Sequence, residues 1–162
     1  PEQIDARDVA TGLASVARCA GQLPYFYCVA EHSILVARLA TGGDPARRGA
    51  FDVASGWPDD AAGRRHARLA LTHDGEEAFL GYLTRPVKHH PSMAPYRAVA
   101  ARLRDVIVTT LVGARPTAVE TAAVHAADRR AYALELDPAF APACRDWLDA
   151  RVAWLDAWDA LV

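Results

Sequence analysis

His73 and Asp74 stand side by side directly after residues 65–72, an apolar segment in which Leu69 and Leu71 indicate a helix turned toward a core. An ionised carboxylate at the end of a buried turn is costly unless it is paired or bound to a metal. Imidazole and carboxylate groups are both good ligands for divalent cations. The fold must therefore bring partners to this corner, either a metal ion or hydrogen-bonding groups.

Two further residues of the same ligand types lie on other predicted helices. His32 lies near the start of the apolar run 29–40, and Asp128 lies within the helical segment 117–136. A histidine in an apolar helix is commonly a core residue bonded to a carbonyl group, and a lone His-Asp pair is commonly only hydrogen-bonded. Four such residues on three separate helices favour one shared metal site.

The ordered set of His32, His73, Asp74 and Asp128 resembles the H…HD…D signature of the HD superfamily of metal-dependent phosphohydrolases. The flanking sequence resembles the small HD proteins grouped with bacterial 5′-nucleotidases over residues 15–21 and 26–33, at His73, Asp74 and Glu77, at Gly81, and over residues 85–88 and 127–130. The resemblance runs from about residue 4 to about residue 135. It implies an all-α fold, a single-domain helical bundle over residues 1–162, in which the four side chains bind one divalent metal ion per chain.

The same resemblance implies two catalytic carboxylates. Asp74 is one of them, and Glu77, three positions later, corresponds to the glutamate that orients water or moves protons in the family. Tyr82 departs from the pattern, because an aspartate commonly follows the glycine that corresponds to Gly81. The departure leaves open a nucleotide-binding or regulatory module without activity.

Four residues correspond to substrate contacts in the family. The arginine equivalent to Arg18 reaches the substrate phosphate, and the lysine equivalent to Lys88 holds phosphate oxygens. Pro86 corresponds to a proline that flanks the base, and His125 lies near the position of a cationic phosphate contact. Without the resemblance, Arg18 fits a cation at a helix C-terminus and Lys88 fits a solvated charge.

A different class of enzyme also uses this signature. HD oxygenases with two irons add two histidines between the HD pair and the last aspartate, and the candidates here are His89 or His90 together with His125. Adjacent histidines before a proline usually lie in an exposed loop. The single-metal site is therefore the main prediction, and the di-iron oxygenase is the alternative.

The overall composition limits the classes of partner that the protein is expected to bind. The chain has 162 residues, 52 % hydrophobic and 23 % charged, which is the size and composition of one globular domain. The net charge of −2 provides no field that would attract nucleic acid, and no apolar run reaches the roughly 18 residues that span a membrane. Three cysteines at spacings unlike a zinc site suggest reduced thiols and a cytoplasmic location.

Apolar residues recur at helical spacing in six segments, which predict helices over residues 5–20, 29–40, 60–72, 96–112, 117–136 and 142–162. In the second segment the apolar residues form no single face, which predicts a central helix buried on most sides. The last segment carries three of the four tryptophans. Such a surface suits either deep packing or a subunit interface, and we expect a homo-oligomer.

Two imidazoles and two carboxylates leave open positions on Mn²⁺, Fe²⁺, Co²⁺ or Mg²⁺, and the set also suits Zn²⁺. Such an ion makes water a nucleophile near neutral pH, and cationic side chains neutralise charge on a phosphoryl group. The predicted activity is hydrolysis of nucleotides, with nucleoside monophosphates as the first substrate class and nucleoside triphosphates as the second.

Overall fold

A computed structural model describes residues 4–49 and 52–162, and within these ranges the chain is all-α, as predicted, with no β-strand. The α-helices are α1 (Ala6–Ser15), α2 (Val29–Ala40), α3 (Ala61–Leu71), α4 (Glu77–Leu80), α5 (Arg85–Lys88), α6 (Ala94–Val112), α7 (Ala118–Glu135) and α8 (Trp147–Leu161). Short 3-10 turns span Arg18–Gly21 and Pro91–Met93. Buried apolar residues of α1, α2, α3, α6, α7 and α8 form one continuous cluster.

Helix α2 is the central helix, which confirms the prediction from its sequence. Every residue from Val29 to Leu39 is buried, because α1, α3, α7 and α8 all pack against it. His32 lies in its second turn and is fully buried. A polar ring at such a position needs partners that the surrounding helices supply.

The predicted bounds of α3 and α7 are confirmed to within one residue at each end, and those of α6 to within two. Side-chain caps explain where α3 and α7 begin. Asp60 accepts a hydrogen bond from the Gly63 amide, and Thr117 forms a capping box with Glu120. Helix α3 ends at Leu71, so that His73 and Asp74 follow it directly in a tight turn.

The predicted first helix, 5–20, is wrong at its end. Helix α1 stops at Ser15, because residues 16–18 pair instead with residues 27–29: the Arg18 amide donates to the Tyr27 carbonyl (2.9 Å) and the Val29 amide donates to the Val16 carbonyl (3.0 Å). Arg18 therefore does not lie in the last turn of a helix. A backbone contact between distant residues overrides the local helical pattern here.

The predicted last helix, 142–162, begins later than expected. The Asp146 side chain accepts hydrogen bonds from the amides of Leu148 and Asp149, and this cap starts α8 at Trp147. Two of its tryptophans, Trp154 and Trp158, are buried and stacked with ring centroids 5.7 Å apart, whereas Trp147 is half exposed. Most of the aromatic surface of α8 is therefore used inside the chain.

Residues 41–63 lose helical periodicity and are rich in Gly, Asp, Pro and Arg, which predicts a loop, and residues 41–60 contain no helix in the portion that the structure describes. The same sequence predicts a short turn around residues 50–52, of which Ala50 and Phe51 lie outside the described residues. Arg38 of α2 holds the rest of the loop: its guanidinium lies 3.5 Å from the centroid of the Trp57 ring and donates to the Val53 carbonyl. No helix in the described ranges is long and apolar enough to cross a membrane.

Candidate metal centre

Candidate ligand atoms from α2, from the turn after α3 and from α7 lie close together: those of His32, His73 and Asp128 are all within 4.8 Å of one another, and Asp74 lies beside them. The Asp128 Oδ1 atom lies 3.2 Å from His32 Nε2 and 4.0 Å from His73 Nε2. The Asp74 Oδ2 atom lies 3.3 Å from His73 Nε2 and 3.8 Å from His32 Nε2. One ion with metal–ligand bonds of about 2.0–2.2 Å requires separations of this size between its ligands.

The two imidazole rings are oriented so that Nε2 faces the meeting point. Nδ1 of His73 is bonded to the Ala70 carbonyl (2.7 Å), and Nδ1 of His32 is bonded to the Glu135 carboxylate. Because each Nδ1–H donates to an oxygen, each Nε2 keeps a lone pair. Both Nε2 atoms are buried and have no hydrogen-bond partner among the described residues. Unpaired buried nitrogens beside two carboxylates fit a divalent cation.

The charges around these residues favour a cation as well. Burial alone would lower the pKa of His73, but Asp74 and Asp128 outweigh it and raise that pKa to about 9. Burial would raise the pKa of Asp74, yet His73, His32 and Arg18 hold it well below its usual range. Burial would also raise the pKa of Asp128, but His32 and His73 lower it, so both carboxylates are ionised at neutral pH. Without an ion, their charge favours a second proton on His73, at Nε2; a bound cation would take the place of that proton and use the Nε2 lone pair.

Glu135 is a buried residue of this site that the sequence analysis missed. Its carboxylate accepts hydrogen bonds from His32 Nδ1, from the Tyr27 hydroxyl (3.0 Å) and from Arg18 Nε (3.2 Å). Burial would raise the pKa of Glu135, but these contacts lower it to about 2. It lies seven positions after Asp128 on α7, so two helical turns put both on one face. The seven-residue spacing from Asp128 is the sequence feature that could have identified Glu135 as part of the site.

A left-handed turn places Arg18 beside the ligands. Cys19 and Ala20 have φ values of 54°, and Gly21 follows with a φ of 74°, so three successive residues adopt the left-handed conformation. Each non-glycine residue there costs about 1–2 kcal/mol. The Arg18 guanidinium is buried, bonds Glu135 and lies 4.0 Å from Asp128 Oδ1. The strained turn thus directs the Arg18 guanidinium toward the candidate metal centre.

Glu77 begins the four-residue helix α4 and lies within a group of alternating charges. Lys88 Nζ donates to Glu77 Oε1 (3.0 Å) and lies 3.8 Å from Glu76 Oε1. Arg104 of α6 binds both oxygens of Glu76, which is fully buried. Glu77 Oε2 has no partner within the described ranges. Sequence reasoning missed Glu76 and Arg104, because no local pattern links α4 to α6.

The pKa of Glu77 is raised to about 7. Burial is the largest cause, the negative charge of Asp74 adds to it, and Lys88 opposes both. A carboxyl group with this pKa is a proton donor and a proton acceptor at neutral pH. The predicted role of Glu77 in moving protons therefore fits its surroundings.

A cleft of about 930 Å³ is lined by His73, Asp74 and Asp128 of the candidate metal centre. The remaining predicted substrate contacts all line it: Arg18, Pro86, Lys88 and His125. Tyr82, the departure from the family pattern, is half-buried in the same wall, and the Arg18 guanidinium lies 5.7 Å from the centroid of its ring. The aromatic ring therefore takes up space beside Arg18 instead of adding a carboxylate.

The histidines considered as ligands of a second iron do not lie together with other potential metal ligands. His90 is exposed and bonds Ser92 Oγ (2.7 Å), while His89 and His125 lie on the wall of the cleft. Across residues 4–49 and 52–162, the one group of at least three close His, Cys, Asp or Glu ligand atoms is that of His32, His73 and Asp128. The three histidines therefore form no second group of this kind within the described residues.

Comparisons with known proteins add a distant relative without a stated function. No protein-family model matches the chain, and no solved structure matches it. Over 90 residues, 54 % of the chain, it is 39 % identical to a protein of Rhodobacter capsulatus that is described only as uncharacterized. The chain spans 38 % of the length of that protein. Function must therefore be argued from the site.

Proposed function

We propose that the chain is a divalent-metal-dependent phosphohydrolase of the HD type that acts on nucleotides. The observation that carries the proposal is the meeting of His32, His73, Asp74 and Asp128, with two buried imidazole nitrogens that have no partner in the described structure. Four ligands of this kind suit Mn²⁺, Fe²⁺, Co²⁺, Zn²⁺ or Mg²⁺. When bound, such an ion activates water and polarises a phosphoryl oxygen.

The side chains around the four ligands would divide the work of phosphoester hydrolysis. Glu77, with a pKa of about 7, takes a proton from the attacking water and returns one to the leaving oxygen. Lys88 fixes the Glu77 carboxylate through its 3.0 Å bond. Arg18 and His125 face the cleft, where the Arg18 guanidinium stabilises the negative charge that builds up on the phosphoryl oxygens and the His125 ring can donate a hydrogen bond to them.

Nucleoside monophosphates are the first substrate class and nucleoside triphosphates the second, because the same ligand set serves both cleavages. The products separate the two. Orthophosphate from a monophosphate supports a 5′-nucleotidase-type activity, whereas tripolyphosphate from a triphosphate would identify cleavage at the α-phosphorus. The cytoplasmic location and the homo-oligomer remain part of this proposal.

The test is hydrolysis of a nucleotide panel by protein that has been stripped of metal and reloaded with one cation at a time. We expect about one ion per chain and activity that returns with the ion. Glu77→Gln should keep the ion but lose about 10²–10⁴-fold in kcat, the usual contribution of a general acid or base. His73→Ala should lose the ion itself.

Two results would redirect the proposal. A metal-loaded wild type that hydrolyses no nucleotide but gains thermal stability from one would identify a binding module. A coloured, oxygen-sensitive protein with two irons per chain would identify the oxygenase alternative. Elemental analysis and the thermal melt distinguish these outcomes without reference to activity.

A further inference from the structure

Three acidic residues follow one another closely where the turn after α3 leads into α4: Asp74, Glu76 and Glu77. Asp74 is a candidate metal ligand, and Glu77 lies in the wall of the cleft. Glu76 does not line the cleft, and its side chain is fully buried. Buried carboxylates that lie close together repel one another, so each of them needs a positive partner.

Helix α6 is fixed against this turn by two residues one helical turn apart. Ile107 is fully buried, and a Cβ atom on Gly75 would lie 3.0 Å from Ile107 Cγ2, so the helix and the turn are in close contact. Three positions earlier, Arg104 donates from Nε to Glu76 Oε2 (2.8 Å) and from Nη2 to Glu76 Oε1. A two-point bond between guanidinium and carboxylate fixes orientation as well as distance. Arg104 thus supplies the countercharge of Glu76.

Lys88 lies between the two glutamates. Its Nζ atom lies 3.0 Å from Glu77 Oε1 and 3.8 Å from Glu76 Oε1. Within the described ranges, Lys88 is the one side chain that bonds the Glu77 side chain, whose second oxygen has no partner. A small movement of the ammonium group would exchange one carboxylate for the other. The orientation of Glu77 therefore depends on another cation neutralising Glu76.

We propose that Arg104 is a positioning residue for Glu77: by holding the charge of Glu76, it leaves Lys88 to fix the Glu77 carboxylate. This inference rests on the proposed function, in which Glu77 moves protons. Arg104 also lines the cleft, but its Nε and Nη2 atoms are both bonded to Glu76. Its effect on hydrolysis should therefore pass through Glu76 and Lys88 and not through contact with the substrate.

The test compares Arg104→Gln with the double variant that combines Arg104→Gln and Glu76→Gln. In the single variant, Glu76 should draw Lys88 away from Glu77, and we expect kcat to fall by about 10–100-fold with KM unchanged, the usual effect of a small displacement of a catalytic group. The double variant removes both charges, so Lys88 has only Glu77 to bond. Its kcat should recover by about tenfold or more over the single variant.

A crystal structure of Arg104→Gln provides a second measurement, which does not depend on activity. We expect Lys88 Nζ to lie closer to Glu76 than to Glu77 in that variant. Arg102→Gln is the matched control, because Arg102 is exposed on the same helix and does not line the cleft. Its kcat should stay within about twofold of wild type.

If Arg104→Gln does not fold, the double variant is compared with wild type, since its neutral pair leaves no buried charge without a partner. The inference is overturned if the double variant is about tenfold or more slower than wild type, if Arg104→Gln keeps the wild-type kcat, or if Lys88 stays on Glu77 in its crystal structure. A wild type that hydrolyses no nucleotide would instead reject the proposed function, and the crystal structure would still decide whether Arg104 holds Lys88 in place.

Discussion

Ala20 adopts a left-handed backbone conformation, which glycine tolerates better than alanine. It is exposed and has a φ of 54°, so Ala20→Gly removes no packing and relieves backbone strain. We expect the free energy of unfolding to rise by about 1 kcal/mol, or the melting temperature to rise by about 2–4 °C. Differential scanning calorimetry measures both.

The control for that substitution is Ala101→Gly. Ala101 is exposed in the interior of α6, where glycine should lower stability by about 1 kcal/mol. If the two substitutions destabilise the protein equally, the left-handed turn is not strained at Ala20.

Glu135 contacts His32 rather than the proposed ion, so its effect on metal binding is indirect. Glu135→Gln keeps the shape but removes the negative charge that fixes the proton on Nδ1 of His32. Residues in this position change metal affinity by about 10–100-fold, and we expect a loss of that size by competition with a chelator. Tyr27→Phe, which removes one of the three donors to Glu135, should lose less.

The identity and order of residues along the chain were enough to select most of the residues that the structure brings together. His32, His73 and Asp128 lie close together with Asp74 beside them, and Glu77, Arg18, Pro86, Lys88 and His125 all line the same cleft, whereas metal binding and the substrate contacts stay predictions. Glu76, Arg104 and Glu135 could not be identified in the same way, because their significance lies in contacts between helices far apart in sequence. A buried charge is visible only when its burial is known.

At the scale of helices, the contact between α1 and α4 determines where Glu77 lies. Gly12 of α1 has no side chain, and a Cβ atom there would lie 2.5 Å from the Ala78 Cβ and from the Ala78 carbonyl oxygen. Gly12→Ala should therefore displace α4, lower stability by about 1–3 kcal/mol and reduce kcat. Urea unfolding and steady-state kinetics measure the two effects.

Ser15→Ala provides the comparison for Gly12→Ala. Ser15 is exposed on α1 and bonds only the Thr11 carbonyl of its own helix, so its loss should change stability by less than 0.5 kcal/mol. If Gly12→Ala lowers stability while kcat is unchanged, the close approach of α1 supports the fold but does not position Glu77.

Apolar periodicity predicted the long helices well, because α2, α3, α6 and α7 bury continuous stripes or whole surfaces. It failed where tertiary contacts decide the boundary. Pairing between residues 16–18 and 27–29 ends α1 early, and the Asp146 cap starts α8 late. Helices α4 and α5 have four residues each and show no period that a sequence pattern could detect.

At the scale of the whole molecule, α8 leaves a strip of apolar surface that could join two copies. Trp147 and Leu148 are each 50 % exposed and Val152 is 37 % exposed, although Trp154 and Trp158 are buried. If the expected homo-oligomer uses this strip, the double variant Leu148→Lys with Val152→Lys should be a monomer by light scattering, because charge at an interface core is strongly disfavoured.

Val99→Lys with Val106→Lys is the matched pair of substitutions. Both valines are about half exposed and lie two turns apart on α6, far along the chain from α8. This variant should keep the wild-type mass. If the wild type is already a monomer, the expected homo-oligomer is wrong. If the α6 variant is a monomer, the interface includes α6 instead.

His32 lies on the helix against which α1, α3, α7 and α8 pack, so its side chain can act as the proposed ligand only when the interior is assembled. The proposed ion would then bind the folded chain and not the unfolded one, which adds its binding free energy to stability, about 2.7 kcal/mol at 100 times Kd. Starvation for the cation would consequently deplete the polypeptide through proteolysis, and cellular abundance would report metal supply.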